Sequence, residues 1–144
     1  MLAAMPATFA RRRQAHLRLG RRGERCAAVL LRAIGIEVLL TNYRSRRGEI
    51  DIIARDGLTL CFVEVKTRRR LGRFRPAAAV GRAKRQRIRA CARDYLRELH
   101  NPPLNCRFDV IELILPRWQQ PSHAYFWANA FGKRELPQPA DFWP

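Results

Sequence analysis

The chain predicts a small three-layer α/β sandwich, a mixed β-sheet with helices on both faces. Three observations carry this. The periodic segments run helix, three strands, helix, then one or two strands. The middle strands, around Ile50-Asp51-Ile52-Ile53 and Phe62-Val63-Glu64-Val65, are apolar on both faces and need cover on both sides. A long helical segment then separates the third strand from the fourth, enough for a crossover that leaves the fourth strand parallel to its neighbour. At 144 residues the chain fits one domain with a real core.

Residues 1–19 read as a flexible basic N-terminal tail. Their mildly apolar start precedes Arg11-Arg12-Arg13, whereas a signal peptide places its charges before the apolar run. The folded domain is expected over residues 20–131. Its first helix starts near Gly20, because Ala27, Leu30, Leu31 and Ile34 form an i, i+3, i+4, i+7 stripe, and Gly35 is suited to end it. Ile36-Glu37-Val38-Leu39-Leu40 reads as the first strand, and residues 42–48 as a polar turn bearing Arg44, Arg46 and Arg47. Residues 49–54 and 58–66 form a hairpin about an Asp56-Gly57 type I′ turn. A basic loop, 67–75, leads to Pro76 and a second helix over part of 76–81 and then 82–99. That helix has an apolar stripe of Ile88, Cys91, Ala92, Tyr95, Leu96 and Leu99. Residues 108–115 form the fourth strand and 122–127 a short fifth. Residues 132–144, with Pro137, Pro139 and Pro144, are expected to be irregular.

Lys plus Arg number 29 and Asp plus Glu 12, a formal net charge of +17, which attracts polyanions and points to nucleic acid as partner. Cys26, Cys61, Cys91 and Cys106 form no CxxC pair and fall in or beside apolar patterns, so they read as free thiols in a reducing, cytoplasmic setting. The three histidines are scattered. No apolar run is long enough to cross a membrane.

Within this basic chain the hairpin is acidic at one end. A two-residue Asp56-Gly57 loop would pair Ile53 with Leu60, Asp51 with Phe62 and Glu49 with Glu64. Glu49, Asp51 and Ile53 would then share a face with Leu60, Phe62, Glu64 and Lys66, and Asp51 and Glu64 would be diagonal neighbours. Buried carboxylates are costly unless a cation meets them. Two of them converging suit a hard divalent ion, Mg²⁺ or Mn²⁺, with the Val65 carbonyl as a further ligand. Lys66, two residues on, is placed to orient a water or stabilise charge on a reacting phosphate. Glu49 is a candidate for a second ion, for holding a water, or for a contact to Lys66. Glu24, one turn before Ala27, is either a solvated residue favoured by the helix dipole or a group aimed at the site. The competing reading is a surface hairpin with cross-strand ion pairs.

Gly48-Glu49-Ile50-Asp51 with Phe62-Val63-Glu64-Val65-Lys66 resembles the Asp…Glu-x-Lys arrangement of restriction-endonuclease-like nucleases. The wider match is to the UPF0102 (YraN-like) family. It runs from Gly20-Arg21-Arg22-Gly23-Glu24 through Asn42-Tyr43-Arg44, Lys84, Tyr95-Leu96 and Arg107-Phe108-Asp109-Val110 to Asn129-Ala130-Phe131. The resemblance implies a restriction-endonuclease-like three-layer sandwich akin to the Holliday-junction resolvases. It also implies a catalytic set of Glu24, Asp51, Glu64 and Lys66, and a homodimer as the active unit. One departure is Ala78, which stands where the family often has a glutamate.

Arg68, Arg69 and Arg70, directly after the Glu-x-Lys strand, and Lys84, Arg85 and Arg89 on the second helix are candidate phosphate contacts, although a basic helix face is often only solvated. Trp118, Tyr125, Phe126, Trp127 and Phe131 gather aromatic area for a core, a dimer interface or base stacking. Asp109 reads as structural, and Asn129 as a residue that stacks or caps. The leading functional expectation is a metal-dependent endonuclease acting on structured or branched DNA. The alternative is a nucleic-acid-binding protein that keeps the fold without cleaving, and RNA is open as a substrate.

Overall fold

Small residues at helical spacing let the first helix lie close on a sheet. In α1 (Ala7–Ala33), Ala27, Ala28 and Leu31 are buried against Ile52, Ala54, Cys61, Val63, Ile111 and Leu113. The opposite face of the sheet is covered by α2 (Arg82–Glu98), whose Ile88, Cys91 and Ala92 pack on Ile50, Ile53, Leu60, Phe62 and Val110. The computed structural model describes residues 7–72, 80–117, 120–130 and 140–141. The expected helix start at Pro76, the substitution at Ala78, and the aromatics Trp118, Phe131, Phe142 and Trp143 lie outside the described residues.

Between the helices lies one sheet in the order β1 (Glu37–Ser45), β2 (Gly48–Asp56), β3 (Thr59–Arg68), β4 (Asn105–Ile114), β5 (His123–Trp127) and β6 (Ala140–Asp141). The β3–β4 pair is parallel and the other four are antiparallel, so α2 is the expected crossover. This is an α/β fold with a mixed sheet flanked by helices. Phe126 belongs to the α1-side core and Trp127 packs against the α2-side core, so these two aromatics help close the monomer. β6 lies in the stretch expected to be irregular and pairs with β5 through Tyr125 and Phe126.

Several boundaries differ from expectation, each for a local reason. The first helix begins at Ala7 rather than near Gly20. Leu19 and half-buried Arg22 carry the inward face of Gly23, Cys26 and Ala27 back one turn, and residues 11–18 before them are exposed, so no apolar period marks the start of the helix. β1 runs on to Ser45, so the expected polar turn shrinks to Arg46-Arg47; buried Tyr43 anchors the added length. The hairpin register is shifted by two residues. Asp56 pairs with Thr59, and Gly57-Leu58 forms the loop. Gly57 has φ +57° and Leu58 has no positive φ, the pattern of a type II′ turn with glycine at its first central position. An even shift keeps the faces of β3 but carries Asp51 from Phe62 to the level of Glu64.

The expected alternation along β2 also fails at one place. Ile50 packs on the α2 side, with Ile53, while Ile52 packs on the α1 side. The break falls at Asp51, and the residue across from it on β1, Asn42, has φ +56°. Both strands are irregular at the same point, which adds twist and frees the Asp51 side chain from the regular pleat.

The tightest approach between α1 and the sheet is at Gly23, where a Cβ would stand 1.8 Å from Thr67 Oγ1. An alanine in a helix interior is ordinarily favoured over glycine by about 1 kcal/mol. Gly23→Ala is nevertheless expected to destabilise by roughly 1–3 kcal/mol through overpacking. The double variant G23A/T67A should recover most of that loss. Urea unfolding midpoints of the three variants check this; an unchanged midpoint in G23A would show that α1 does not press on β3 here.

Candidate functional site

The β2–β3 ladder is regular from Asp56↔Thr59 to Ile52↔Val63. At the next step a side chain takes over, and the backbone N–H of Val65 donates to Asp51 Oδ2 at 2.7 Å. The strands part at this point, and Asp51 and Glu64 sit at the opening.

Glu64 is 4% exposed. Its Oε1 receives Lys66 Nζ at 3.0 Å and Lys84 Nζ at 3.6 Å. Its Oε2 is buried and has no hydrogen-bond partner among the described residues. Lys66 comes from β3 itself. Lys84 comes from the first turn of α2, which starts near the end of β3 and so overhangs this place.

Negative charge accumulates here despite the lysines. Asp51 is raised to about 7, first by burial and then by repulsion from Glu64, with Glu24 adding to it. The Val65 N–H and Lys84 pull the other way without cancelling the rise. Glu24 is also raised, chiefly by burial; the Asn42 side chain donates to its carboxylate and partly offsets this, while Glu49 and Glu64 repel it. Thus α1, β1, β2, β3 and α2 each supply one part of a single acidic corner.

The structure therefore brings together Asp51, Glu64, Lys66, Glu24 and Lys84. Glu24 is half-buried, accepts a hydrogen bond from the Asn42 side chain and lies near enough to Glu49 and Glu64 to be repelled by them, so it is not a fully solvated first-turn residue. Glu49 is at the rim, exposed, with its carboxylate 3.7 Å from Arg44 Nε. Together with Lys84 and Arg87 it lines an open groove of about 500 Å³ that leads away from the carboxylates. Val65 turns its side chain into the α1-side core, and its N–H is engaged by Asp51.

The expected phosphate contacts are less uniform. Arg68 Nε donates to buried Glu112 Oε1 at 2.7 Å, so this guanidinium is held at the sheet. Arg69 and Arg70 follow β3 and are exposed. Arg85 Nε donates to the Val80 carbonyl at 2.8 Å, and the Arg89 guanidinium lies 5.8 Å from the centre of the Phe108 ring. Asp109 is structural, as expected. It accepts from Arg107 Nε and from the Asn129 N–H at 2.7 Å, and thereby fixes the turn after β5. Arg107 also reaches Asp56 at 2.8 Å, tying β4 to the hairpin turn.

Two contributors escape a reading of the sequence. Asn42 looked like a turn residue, yet it holds Glu24. Glu112 sits beside Lys66 in the β3–β4 register and anchors Arg68. Lys84, a candidate phosphate contact by sequence, also contacts Glu64 from the first turn of α2.

Among the described residues there is no group of three or more His, Cys, Asp and Glu side chains that could hold a metal ion. Cys61 is buried and its thiol is pushed up to about 12, so it offers no thiolate. What the corner presents is hard oxygen donors, the half-buried carboxylate of Asp51 and the buried one of Glu64 with its orphaned oxygen. This fits Mg²⁺ or Mn²⁺, ions that take one or two protein carboxylates and fill the remaining positions with water and substrate phosphate.

The fold and the site define an α/β protein with a mixed sheet and a carboxylate–lysine corner where its central strands part. Residues 23–113 match the family described as "Uncharacterised protein family UPF0102". The chain is 50% identical over 96 residues to a UPF0102 protein of Chlorobaculum tepidum, covering 67% of this chain and 74% of that protein. It is 48% identical over 103 residues to one of Nocardia farcinica, covering 72% and 81%, and 46% identical over 106 residues to one of Rhodococcus opacus, covering 74% and 90%. The chain belongs to the UPF0102 family. The matched region holds every member of the acidic corner, from Glu24 to Lys84.

The raised Asp51 has a consequence for stability with a definite sign. Its folded pKa, about 7, lies above the ordinary value of 3.8, so between those values the folded state holds a proton that the unfolded state has released. This contribution is full below about 4 and is lost as pH rises through 7. Asp51→Asn removes it. In EDTA, D51N is expected to gain on the wild type as pH rises from 5 to 8, by about 1 kcal/mol or more. Paired urea titrations at the two pH values check this. Parallel losses in both proteins would mean that Asp51 ionises freely.

Proposed function

We propose that this protein is a metal-dependent endonuclease of restriction-endonuclease-like fold that hydrolyses phosphodiester bonds in structured or branched DNA. The observation that carries the reading is Glu64 Oε2, a buried carboxylate oxygen without a partner, beside an Asp51 raised to about 7. A protein that only binds DNA has no use for mutually repelling carboxylates facing a phosphate. The three-layer arrangement supports the fold assignment, with a β1–β2–β3 antiparallel run, the α2 crossover and parallel β4. The net charge of +17 supports a polyanionic substrate.

Asp51 and Glu64 would hold a divalent ion, with the Val65 carbonyl as a further ligand, and such an ion would supply charge neutralisation at the scissile phosphate. Lys66 stands 3.0 Å from Glu64 Oε1 and is placed to stabilise charge developing on the phosphate oxygens. Lys84, 3.6 Å from the same oxygen, holds Glu64 in place. Glu24 and Asn42 form the far wall, where Glu24, its carboxyl pKa raised by burial, is suited to accept a proton from the attacking water. The active unit is a two-fold dimer acting in the cytoplasm, since matched nicks in a branched substrate need two such corners.

A second reading, a non-catalytic nucleic-acid-binding protein, draws on one observation: no group of three metal-binding side chains is gathered among the described residues. Cleavage of a panel of duplex, single-stranded, flap and four-way-junction DNA with Mg²⁺ or Mn²⁺ separates the two. The wild type is expected to cut at least one branched form. Glu64→Gln and Lys66→Ala should cut at least about 100-fold more slowly while binding DNA within a few fold of wild type. Intact substrates under every condition, with tight binding retained, would establish the non-catalytic reading. RNA members of the panel test the remaining substrate class.

A further inference from the structure

A second basic feature lies on the α1 side of the sheet. Ala15, Arg18, Leu19, Arg22, Arg69 and Arg117 line a cleft of about 280 Å³. The six lining residues include four arginines and no acid. These arginines come from three separated segments, α1 and the chain just beyond β3 and β4. The inward stripe of α1 runs through Leu19, Gly23, Cys26, Ala27, Leu30 and Leu31. Leu19, Cys26 and Leu30 all pack against the α1-side core, which fixes the rotation of the helix. Arg22, half-buried, and Arg18, exposed, flank that face and edge the cleft.

The other wall is equally constrained. The Leu115 N–H donates to the Arg68 carbonyl at 2.7 Å, extending the parallel β3–β4 pairing to its last step. Arg69 and Arg117 leave the two strands just beyond that bond and so emerge side by side. Four guanidinium groups around one cleft concentrate positive potential there, which an anion entering the cleft would relieve. Arginine also presents a planar fork of donors matched to phosphate oxygens.

We propose that this cleft binds a backbone phosphate of the nucleic acid, on the opposite side of the sheet from the contacts expected of α2. Arg22 precedes Glu24 by two residues and Arg69 follows Lys66 by three, so the cleft adjoins the acidic corner along both α1 and β3. A strand or duplex arm leaving the corner in that direction meets Arg69 first and then Arg22, Arg18 and Arg117. The substrate is thus gripped on both sides of the cutting position. The identity of the ligand as nucleic acid rests on the reading given under Proposed function; the anion site itself does not.

The test measures binding, in EDTA so that cleavage plays no part. Fluorescence anisotropy of a labelled four-way junction and a duplex is followed over a range of salt concentrations for wild type, Arg18→Gln/Arg117→Gln, and a control of equal charge change outside the cleft, Arg32→Gln/Arg93→Gln. The cleft variant is expected to lose about tenfold in affinity and to lower the salt slope by about two, one for each phosphate contact removed. The control should lose less than about threefold, as for a change in the general field alone. Thermal unfolding with added pyrophosphate is the second arm. It should raise the melting temperature of wild type and control but not of the cleft variant, whose own melting temperature without ligand should be no lower than wild type. Equal losses in cleft variant and control, with no pyrophosphate effect, would overturn the proposal. No nucleic-acid binding by wild type, with the pyrophosphate effect intact, would retain the anion site and overturn its nucleic-acid ligand. Arginine-dependent binding to anionic phospholipid vesicles in place of nucleic acid would overturn it in favour of a lipid headgroup.

Discussion

Glu64 is 4% exposed, and a carboxylate at that depth costs several kcal/mol unless cations and donors meet it. Only half of that requirement is met among the described residues. Lys66 and Lys84 both address Oε1, and Oε2 is left alone. Asp51 compounds the imbalance, since its carboxylate feels Glu64 and rises to about 7. Several features of the fold keep these groups in place. The β2–β3 ladder ends one step early, the Val65 N–H is held by a side chain, and α2 begins where Lys84 can overhang the gap. A chain selected for stability alone would fill the corner with apolar residues, as it does a few residues away at Ile53 and Phe62.

The two helices perform different tasks around this corner. α2 closes the apolar side with Ile88, Cys91 and Ala92 and delivers a cation from its first turn. α1 closes the other side with small residues, and Gly23 permits an approach to Thr67 that a larger residue would block. That close approach sets the position of Glu24, the next residue, which then reaches Asn42. The left-handed backbone at Asn42 and the break in alternation at Asp51 lie opposite each other. Local irregularity in two neighbouring strands is thus concentrated where side chains of two elements have to meet, the usual place for it in a sheet that carries a site.

Much of this was legible in the sequence because period and chemistry coincided. The stripe of Ala27, Leu30 and Leu31, the doubly apolar strands around Ile52 and Val63, and the long segment before β4 fixed the layers and the parallel crossover. Asp51, Glu64 and Lys66 stood out because acids inside such strands have few structural uses. The misses share a different cause. The helix start was hidden because residues 11–18 of α1 are exposed, so no apolar period marks them although the helix runs through. The hairpin register depended on whether Gly57 was the first or second central residue of its turn, and nothing short of backbone geometry distinguishes the two. The face of Ile50 followed from an irregularity at Asp51 that no residue type announces. The pairings Glu24–Asn42, Glu64–Lys84 and Arg68–Glu112 join distant segments, and single-sequence patterns carry no information about which distant residues meet.

The account depends on the acidic corner binding a divalent cation with no nucleic acid present. The most direct measurement is a titration of metal-free protein with Mn²⁺, following the free ion by electron paramagnetic resonance, for wild type and Glu64→Gln. The account predicts one site per chain in the wild type, weakened about tenfold or more in E64Q. Identical titrations of the two proteins, or no uptake by the wild type at millimolar Mn²⁺, would contradict it.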